Sequence, residues 1–318
     1  MGIIINRGGS LTTVQDLGRI GHQNQGFAVS GAMDKRAFKL ANMLLDNEDN
    51  AAMLEATLVG PKFTFTEPNC FVITGADFKA KLNGRQITVN QVYMAAKDDV
   101  VEFPVGFPKE GARCYIAFAG GLDVPLFMGS RSTYLKGSMG GFQGRALKTG
   151  DEIAFLAPQQ ILPKLGSRFV PQKFSTVYGG HEVTIRVILG PQDDAFTEKG
   201  LATFLGEEYT ASPYMDRMGA RLEGPEIEHK GRADLVSDGI AFGAVQVPQN
   251  GKPIILMADR QSTGGYTKIA NVISVDLPKI SQRLAGDKIH FQAVSVEEAQ
   301  NLLKAARMEL LRIAERWQ

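Results

Sequence analysis

Lys62-Phe63-Thr64-Phe65-Thr66-Glu67-Pro68-Asn69-Cys70-Phe71-Val72-Ile73-Thr74-Gly75 sets two short apolar runs on either side of a proline and an asparagine. Short runs rich in Phe, Val, Ile and Thr, stopped by Gly, Pro or Asn, are the sequence form of β-strands. Strands are therefore expected at 62–66 and 70–74, and the same pattern recurs at 86–89, 100–103 and 114–119. A second set follows at 183–189, 244–247, 254–258, 272–275 and 289–291. Both halves read as mostly β, and 35 glycines among 318 residues suit many tight turns and bulges. Closed barrels or sandwiches are the architecture these features predict.

Helical patterns are few. Ser30 is placed to cap a segment in which Met33, Ala37, Leu40, Ala41, Leu44 and Leu45 recur at steps of three and four, expected to plug one end of a barrel. A weaker pattern at 194–205 is interrupted by Gly200. At the carboxyl end Ser295-Val296-Glu297-Glu298 reads as a capping box, followed by the stripe Leu302, Leu303, Ala306, Leu310, Ile313 and Trp317. Pro158, Pro163 and Pro171 punctuate an irregular stretch where a linker is expected. The predicted organisation is one β domain over 1–165, a second over 175–294 and a helix over 295–318. Gly150-Asp151-Glu152-Ile153-Ala154-Phe155 and Gly286-Asp287-Lys288-Ile289-His290-Phe291 close the two halves with a similar turn and strand. That match is compatible with duplication and equally with ordinary Gly-Asp turn chemistry.

Thirty-five Lys and Arg against 34 Asp and Glu leave a net charge of +1, with no basic surplus for nucleic acid. No apolar stretch approaches the roughly 20 residues that span a bilayer. Cys70 and Cys114 lie in apolar runs, as reduced core thiols do, so a cytoplasmic location is expected. The four histidines (His22, His181, His229, His290) are scattered and no cysteine pair has ligand spacing, so no metal site is expected. No Gly-x-Ser-x-Gly elbow occurs. The glycine-rich 137–145 lacks the Gly-Lys-Ser/Thr ending of a phosphate loop. It reads as a connection between strands or, with Arg131 and Arg145 near, as an anion-binding nest.

Three polar clusters remain. In the first, the strand at 254–258 runs into Asp259-Arg260-Gln261 and then Gly264-Gly265-Tyr266, with Gln246 on the preceding strand. Polar groups delivered at a strand end are where barrel mouths hold ligands. The second is Ser212 to Leu222, in which Asp216, Arg217 and Arg221 offer guanidinium forks suited to carboxylates, ureido groups or phosphates. Pairing of these side chains with neighbours accounts for either cluster equally well. The third is Thr12-Thr13-Val14-Gln15-Asp16-Leu17-Gly18-Arg19-Ile20-Gly21 with Ser30-Gly31-Ala32-Met33-Asp34, where Asp34 fits the first turn of the helix.

Together with Ala119-Gly120-Gly121-Leu122-Asp123-Val124-Pro125 and Met218-Gly219-Ala220-Arg221-Leu222-Glu223-Gly224-Pro225, these segments resemble the allophanate hydrolase subunit 2 or biotin-dependent carboxyltransferase-like family. The resemblance spans roughly residues 3 to 292; one departure is Thr267, where the family usually has proline after Gly-Gly-Tyr. It implies two cyclophilin-like β-barrel domains, a site shared with a sibling subunit, and a small anionic substrate. Its members include 5-oxoprolinase subunits, urea carboxylase modules and an antagonist of a histidine-kinase inhibitor. Neither a biotin carboxylase domain nor a biotinyl-lysine domain is read within this chain. The resemblance therefore implies the C subunit of an ATP-dependent 5-oxoprolinase, working in a hetero-oligomer with its B subunit (allophanate hydrolase subunit 1-like) and its lactam-hydrolysing A subunit. The nucleotide, ATP, would be shared with the partner, and no biotin would be attached here. A carboxyltransferase component of a urea carboxylase and a regulatory binding protein are the alternatives. The implied catalytic groups are Arg260, Asp259 and Asp216; the implied substrate contacts are Arg217, Arg221, Gln246, Gln261, Gly264, Gly265 and Tyr266.

Overall fold

In the first strands every second side chain is apolar and fully buried, as in Ile3 and Ile5 or Phe63 and Phe65. That period of two puts one face of each strand into a core. The computed structural model describes residues 2–171, 178 and 180–316. They form two units: unit 1 is Met1–Ile20, Ser30–Gly179 and Glu309–Gln318, and unit 2 is Gly21–Val29 and Gly180–Met308.

Unit 1 contains β1 (Gly2–Arg7), β2 (Leu11–Gln15), α1 (Lys35–Leu44), β3 (Met53–Thr57), β4 (Lys62–Phe65), β5 (Asn69–Gly75), β6 (Lys81–Leu82), β7 (Arg85–Gln86), β8 (Val92–Ala95), β9 (Val100–Glu102), β10 (Arg113–Phe118), β11 (Leu122–Asp123) and β12 (Glu152–Phe155). They make two sheets, ordered β11-β12-β1-β4-β9-β6-β7 and β2-β3-β10-β5-β8. One core lies between them, with Phe63, Phe65, Phe71, Phe118 and Phe155 at its centre. Ring centroids 5.2 to 6.0 Å apart link Phe118 to Phe155 and Phe65 to Phe155 in tilted pairs. Each such ring adds about 1.5–3 kcal/mol from removal of apolar area from water.

The five-stranded sheet is buried on both faces. Cys70, Val72, Tyr115 and Ala117 point away from that core and pack under α1, against Phe38, Ala41 and Leu44. The helix therefore covers a sheet face and does not plug a barrel end. Its cap is Asp34 and not Ser30: Asp34 Oδ1 accepts from the Ala37 N–H at 2.9 Å, while Ser30 has φ +56° and Gly31 φ +87° in the preceding loop. Asp34 also accepts from the Tyr178 hydroxyl at 2.7 Å. The Tyr115 hydroxyl accepts from the Asp34 N–H at 2.7 Å and donates to Glu55 at 2.8 Å, and Glu55 accepts from the Met33 N–H at 2.9 Å. Burial, with the Glu55 and Asp34 carboxylates close by, pushes the Tyr115 phenol well up. The Ser30 to Asp34 part of the amino-terminal polar cluster is thus a buried brace that positions the loop before α1.

The expected linker is packed onto unit 1. Leu162 and Val170 join the cluster under α1, and buried Arg168 donates to Leu44 O at 3.0 Å and pairs with Asp46. Ile313 of the C-terminal helix belongs to the same cluster, and Arg36 pairs with Glu309 at 2.8 Å.

Unit 2 contains β13 (Glu182–Leu189), α2 (Glu198–Gly206), β14 (Tyr209–Met215), β15 (Gly219–Glu223), β16 (Asp234–Gly239), β17 (Ala244–Gln246), β18 (Ile254–Leu256), β19 (Thr263–Tyr266), β20 (Lys268–Val272), α3 (Leu277–Ser281) and β21 (Lys288–Ala293). Seven of these strands close a barrel in the order β13-β20-β17-β18-β15-β14-β21, sealed by the parallel pair β13–β21. Among the described residues β16 and β19 pair only with each other, as a two-stranded ribbon beside the barrel. The chain is mostly β, as its sequence predicts, although several bounds differ. Of the 86–89 run only Gln86 lies in a strand, β7, and the run expected at 272–275 is the end of β20 and the loop after it. Strand β18 ends at Leu256, because the Met257 and Asp259 N–H groups turn to Met218 O and Arg217 O.

Helix α2 starts at Glu198, capped by Thr197, and tolerates Gly200 for a packing reason: a Cβ there would sit 2.3 Å from Glu228 O. The final helix, α4 (Val296–Ala314), begins at Ser295, whose hydroxyl accepts from the Glu298 N–H at 3.1 Å. Trp317 of its expected stripe lies outside the described residues. The two Gly-Asp turns are alike. Asp151 accepts from the Lys148 N–H at 2.8 Å and Asp287 from the Leu284 N–H at 2.9 Å, each just before the last strand of its unit.

Replacing Tyr115 with Phe removes one hydrogen bond from the Asp34 N–H and one from the Glu55 carboxylate. Loss of about 1–3 kcal/mol in denaturant unfolding is expected, with little change in the unfolding slope.

Candidate functional site

Along β17, Ala244 and Gln246 share one face and Val245 takes the other. Val245 and Ile255 are fully buried inside the ring, whereas Ala244 and Leu256 form a small separate cluster with Ile240, at the end of the ribbon. Gln246 is therefore on the outer wall of the barrel, facing β16–β19. Between wall and ribbon lies a cleft of about 470 Å³ lined by Asp234, Leu235, Ile240, Gln246, Gln261, Thr263, Gly264, Gly265 and Tyr266. The site expected at the barrel mouth is thus on the barrel's flank, and the ribbon is what makes it concave.

Two glycines allow the ribbon to approach. A Cβ on Gly264 would lie 2.7 Å from Ile240 Cδ1 and 3.1 Å from Gln246 Nε2, and one on Gly265 would meet Leu235 O at 3.0 Å. The Gln246 side chain is buried, and its Nε2 has no hydrogen-bond partner among the described residues. An amide donor left unpaired in a protein wall costs about 1–3 kcal/mol unless something in the cleft accepts from it.

The structure separates the predicted site residues into groups. Gln246, Gln261, Gly264, Gly265 and Tyr266 come together in the cleft. Arg217 and Asp259 do not face it; they form a buried bidentate pair, Nε–Oδ2 3.0 Å and Nη2–Oδ1 2.9 Å. Asp216 closes the β14–β15 turn, accepting from the Met218 N–H at 2.7 Å and the Gly219 N–H at 2.9 Å. Arg221 is an exposed residue of β15. Arg260 lies behind the cleft: its Nε donates to Ile240 O at 3.0 Å, its Nη1 to Met257 O at 3.3 Å, and its guanidinium sits 5.6 Å from the Phe242 ring centroid. Burial alone lowers its pKa to about 10. It is a desolvated cation satisfied by carbonyl dipoles and a ring face.

The sequence reading missed a cation. Lys268 stands opposite Gln246 on the neighbouring strand; its side chain is 3% exposed and its Nζ pairs with Asp238 of the ribbon at 3.0 Å. The lysine hides in sequence because it opens an apolar strand, Lys268-Ile269-Ala270-Asn271-Val272. The ribbon strand Asp234-Leu235-Val236-Ser237-Asp238-Gly239 has no buried alternation to announce it.

Thr267, the departure after Gly-Gly-Tyr, uses what proline lacks. Its N–H donates to Ala233 O at 3.0 Å, and its hydroxyl lies 3.1 Å from His229 Nε2. His229 in turn packs on Phe196 with ring centroids 4.6 Å apart.

In unit 1 the glycine-rich stretch is not an open phosphate cradle. Positions 140, 141 and 144 press on Ser132 O, Thr133 Oγ1 and Ser138 O, and Arg145 is held by both oxygens of Asp151. Arg131 Nε donates to Val124 O at 3.0 Å. Asp16 accepts from the Gly18 and Arg131 N–H groups and from Ser130, so its motif is a loop brace. Burial drives the Cys114 thiol up, far from the thiolate form. Among the described residues no cluster of His, Cys, Asp or Glu could hold a metal ion, and no helix is long and apolar enough to cross a membrane.

The family model for the carboxyltransferase domain, subdomain A and B, matches residues 25–293, which include the whole barrel, the ribbon and the cleft. This chain belongs to that family. The C subunit of the Haemophilus influenzae 5-oxoprolinase is 35% identical over 293 residues, covering 92% of this chain and 91% of that protein. The Escherichia coli protein of the same name is 37% identical over 296 residues, covering 93% and 92%. Among solved structures, the K. lactis urea amidolyase superposes with a TM-score of 0.90 at 29% identity, over 98% of this chain and 20% of that one. In the urea amidolyase case the matched region lies within a much longer protein.

If Arg217 and Asp259 serve structure, Asp259→Asn should destabilise by about 3–5 kcal/mol, because it leaves a buried guanidinium unmatched. An Arg217→Met/Asp259→Leu double variant should recover much of that loss in thermal unfolding. Unchanged stability in Asp259→Asn, with turnover gone, would instead give the carboxylate a chemical role.

Proposed function

We propose that this chain is the C subunit of a 5-oxoprolinase and that its cleft receives a small carboxylate-bearing lactam. The reading is carried by the match, end to end within a tenth of either chain, to two proteins that bear that subunit's name. The cleft supports it chemically. An unpartnered amide donor, a hydroxyl-bearing strand end and backbone freed by two glycines suit a compact polar guest rather than a long apolar one.

In the proposed reaction one water adds across the lactam C–N bond of 5-oxoproline to give glutamate. A second water is consumed as ATP yields ADP and phosphate. The A and B subunits would complete the site and supply the nucleotide pocket, since the glycine-rich loop of this chain is committed to its own packing. This chain's contribution would be binding and orientation. Gln246 would donate to a substrate oxygen, and Arg260 would fix the Ile240 carbonyl and with it one wall of the cleft. Buried donors of this kind also favour oxygen-centred negative charge as a carbonyl is attacked.

A second reading rests on the close superposition on the K. lactis urea amidolyase. In it the cleft would accept the ureido group of carboxybiotin carried by another chain, and the same donors would serve the ureido oxygen. No biotin would be attached to this chain in either case.

Mixing the three folded subunits with 5-oxoproline and ATP should release glutamate, and omission of any one of them should abolish release. An inert mixture that transfers carboxyl groups from carboxybiotin would move the assignment to the second reading. Gly264→Ala puts a methyl group against Ile240 and the Gln246 amide and should raise KM for 5-oxoproline at least about tenfold with a melting temperature near that of the parent. An unaltered KM would remove the cleft from the mechanism.

A further inference from the structure

The pairing of Lys268 with Asp238 is asymmetric, like that of Arg168 with Asp46, but the buried guanidinium of Arg168 also has the Pro163 and Leu44 carbonyls. The lysine side chain is 3% exposed and the aspartate 56% exposed. The aspartate can exchange its partner for water at little cost, whereas the ammonium, once stripped of water, needs an anion. An ammonium has three donors, and among the described residues Nζ donates to Asp238 alone. Asp238 is carried by β16, in a two-stranded ribbon that the barrel does not extend by hydrogen bonding. A two-stranded ribbon with no third strand is held less firmly than a strand inside a closed ring.

The second observation is independent. Gln246 pairs with Lys268 across β17 and β20 beside a bulge, and its buried Nε2 is unpartnered among the described residues, beside Gly264 in the cleft. Partners on adjacent strands stay near one another beside a bulge, so the strand next to the neutral donor that lines the cleft carries a charged one. Two adjacent donors match the two oxygens of one carboxylate. At the other end of the ribbon the lining carboxylate Asp234 stands opposite Tyr266, and it would turn an anionic group away from itself and toward the lysine.

We propose that Lys268, with Gln246, is the carboxylate-binding subsite of the cleft, and that Asp238 occupies this subsite as a stand-in carboxylate which the ligand displaces. The inference rests on the cleft being the substrate site. The resting pair is well made: the Lys268 ammonium first, then the Gly239 N–H, hold the Asp238 carboxyl below the usual carboxylate range. Binding therefore exchanges one carboxylate for another and carries the ribbon with it.

The test is titration of 5-oxoproline into the full-length chain, by itself and in the complex of all three subunits, with 2-pyrrolidinone, the same lactam without its carboxylate, as control. Asp238→Asn should bind 5-oxoproline at least threefold more tightly than the parent, because the competitor is gone, with no gain for 2-pyrrolidinone. Lys268→Met should bind it at least tenfold more weakly, and Lys268→Arg should restore part of the loss. A purely structural pair predicts the opposite sign for Asp238→Asn, so weaker or unchanged binding there overturns the proposal. Asp238→Ser, checked by its melting temperature, serves if the asparagine variant fails to fold. If Gly264→Ala abolishes binding while Asp238→Asn does not strengthen it, only the subsite assignment falls. If Gly264→Ala leaves binding intact, the cleft itself is the wrong site.

Discussion

The bidentate contact between Arg217 and Asp259 fixes the geometry on which the rest of unit 2 depends. Asp259 follows the end of β18 and Arg217 sits in the turn between β14 and β15, so the pair ties two neighbouring corners of the barrel. The adjacent backbone adds to it, with the Asp259 N–H donating to Arg217 O at 2.7 Å. Arg260, one residue on, is thereby aimed at the Ile240 carbonyl and carries the base of the ribbon. A charge pair removed from water holds only where its geometry is good, so it acts as a locating device more than as a source of stability.

Three of the cations buried in unit 2 lie near one another in sequence or across strands, and each is satisfied differently. Arg217 has a buried carboxylate, Arg260 has carbonyl oxygens and an aromatic face, and Lys268 has a carboxylate that remains in water. The order runs from locked to exchangeable. Function is expected at the exchangeable end, because a group whose partner is easily released can accept a ligand without leaving a charge stranded in the wall.

Most of the fold was legible in the chain's own pattern. The period of two in residues 62–75 and 114–118 places Phe63, Phe65, Phe71 and Cys114 in one core, and the sheets follow. The helix at 35–44 was legible too, but its cap was not: Ser30 and Asp34 are both good capping residues, and the choice fell to Asp34 because Gly31 and Ser30 adopt left-handed backbone in the loop that Glu55 and Tyr115 hold. Of the clefts and clusters, the Gly264-Gly265-Tyr266 run and Gln246 were readable as polar groups beside a buried strand. Asp216, Arg217 and Asp259 carry the same residue types, and nothing local separates an arginine that waits for a ligand from one already paired across the barrel.

Sequence by itself determined the β-rich class, the alternating cores, the capped terminal helix and the family signature, because each depends on residues within a few positions of one another. Only the tertiary structure decided how each buried cation is partnered, that the cleft lies on the flank of the barrel, and that Lys268 stands on the strand beside Gln246. Those facts depend on strand register, which brings Lys268 beside Gln246 and Asp238 from positions 22 and 30 residues away, and register is set by the closing of the whole ring.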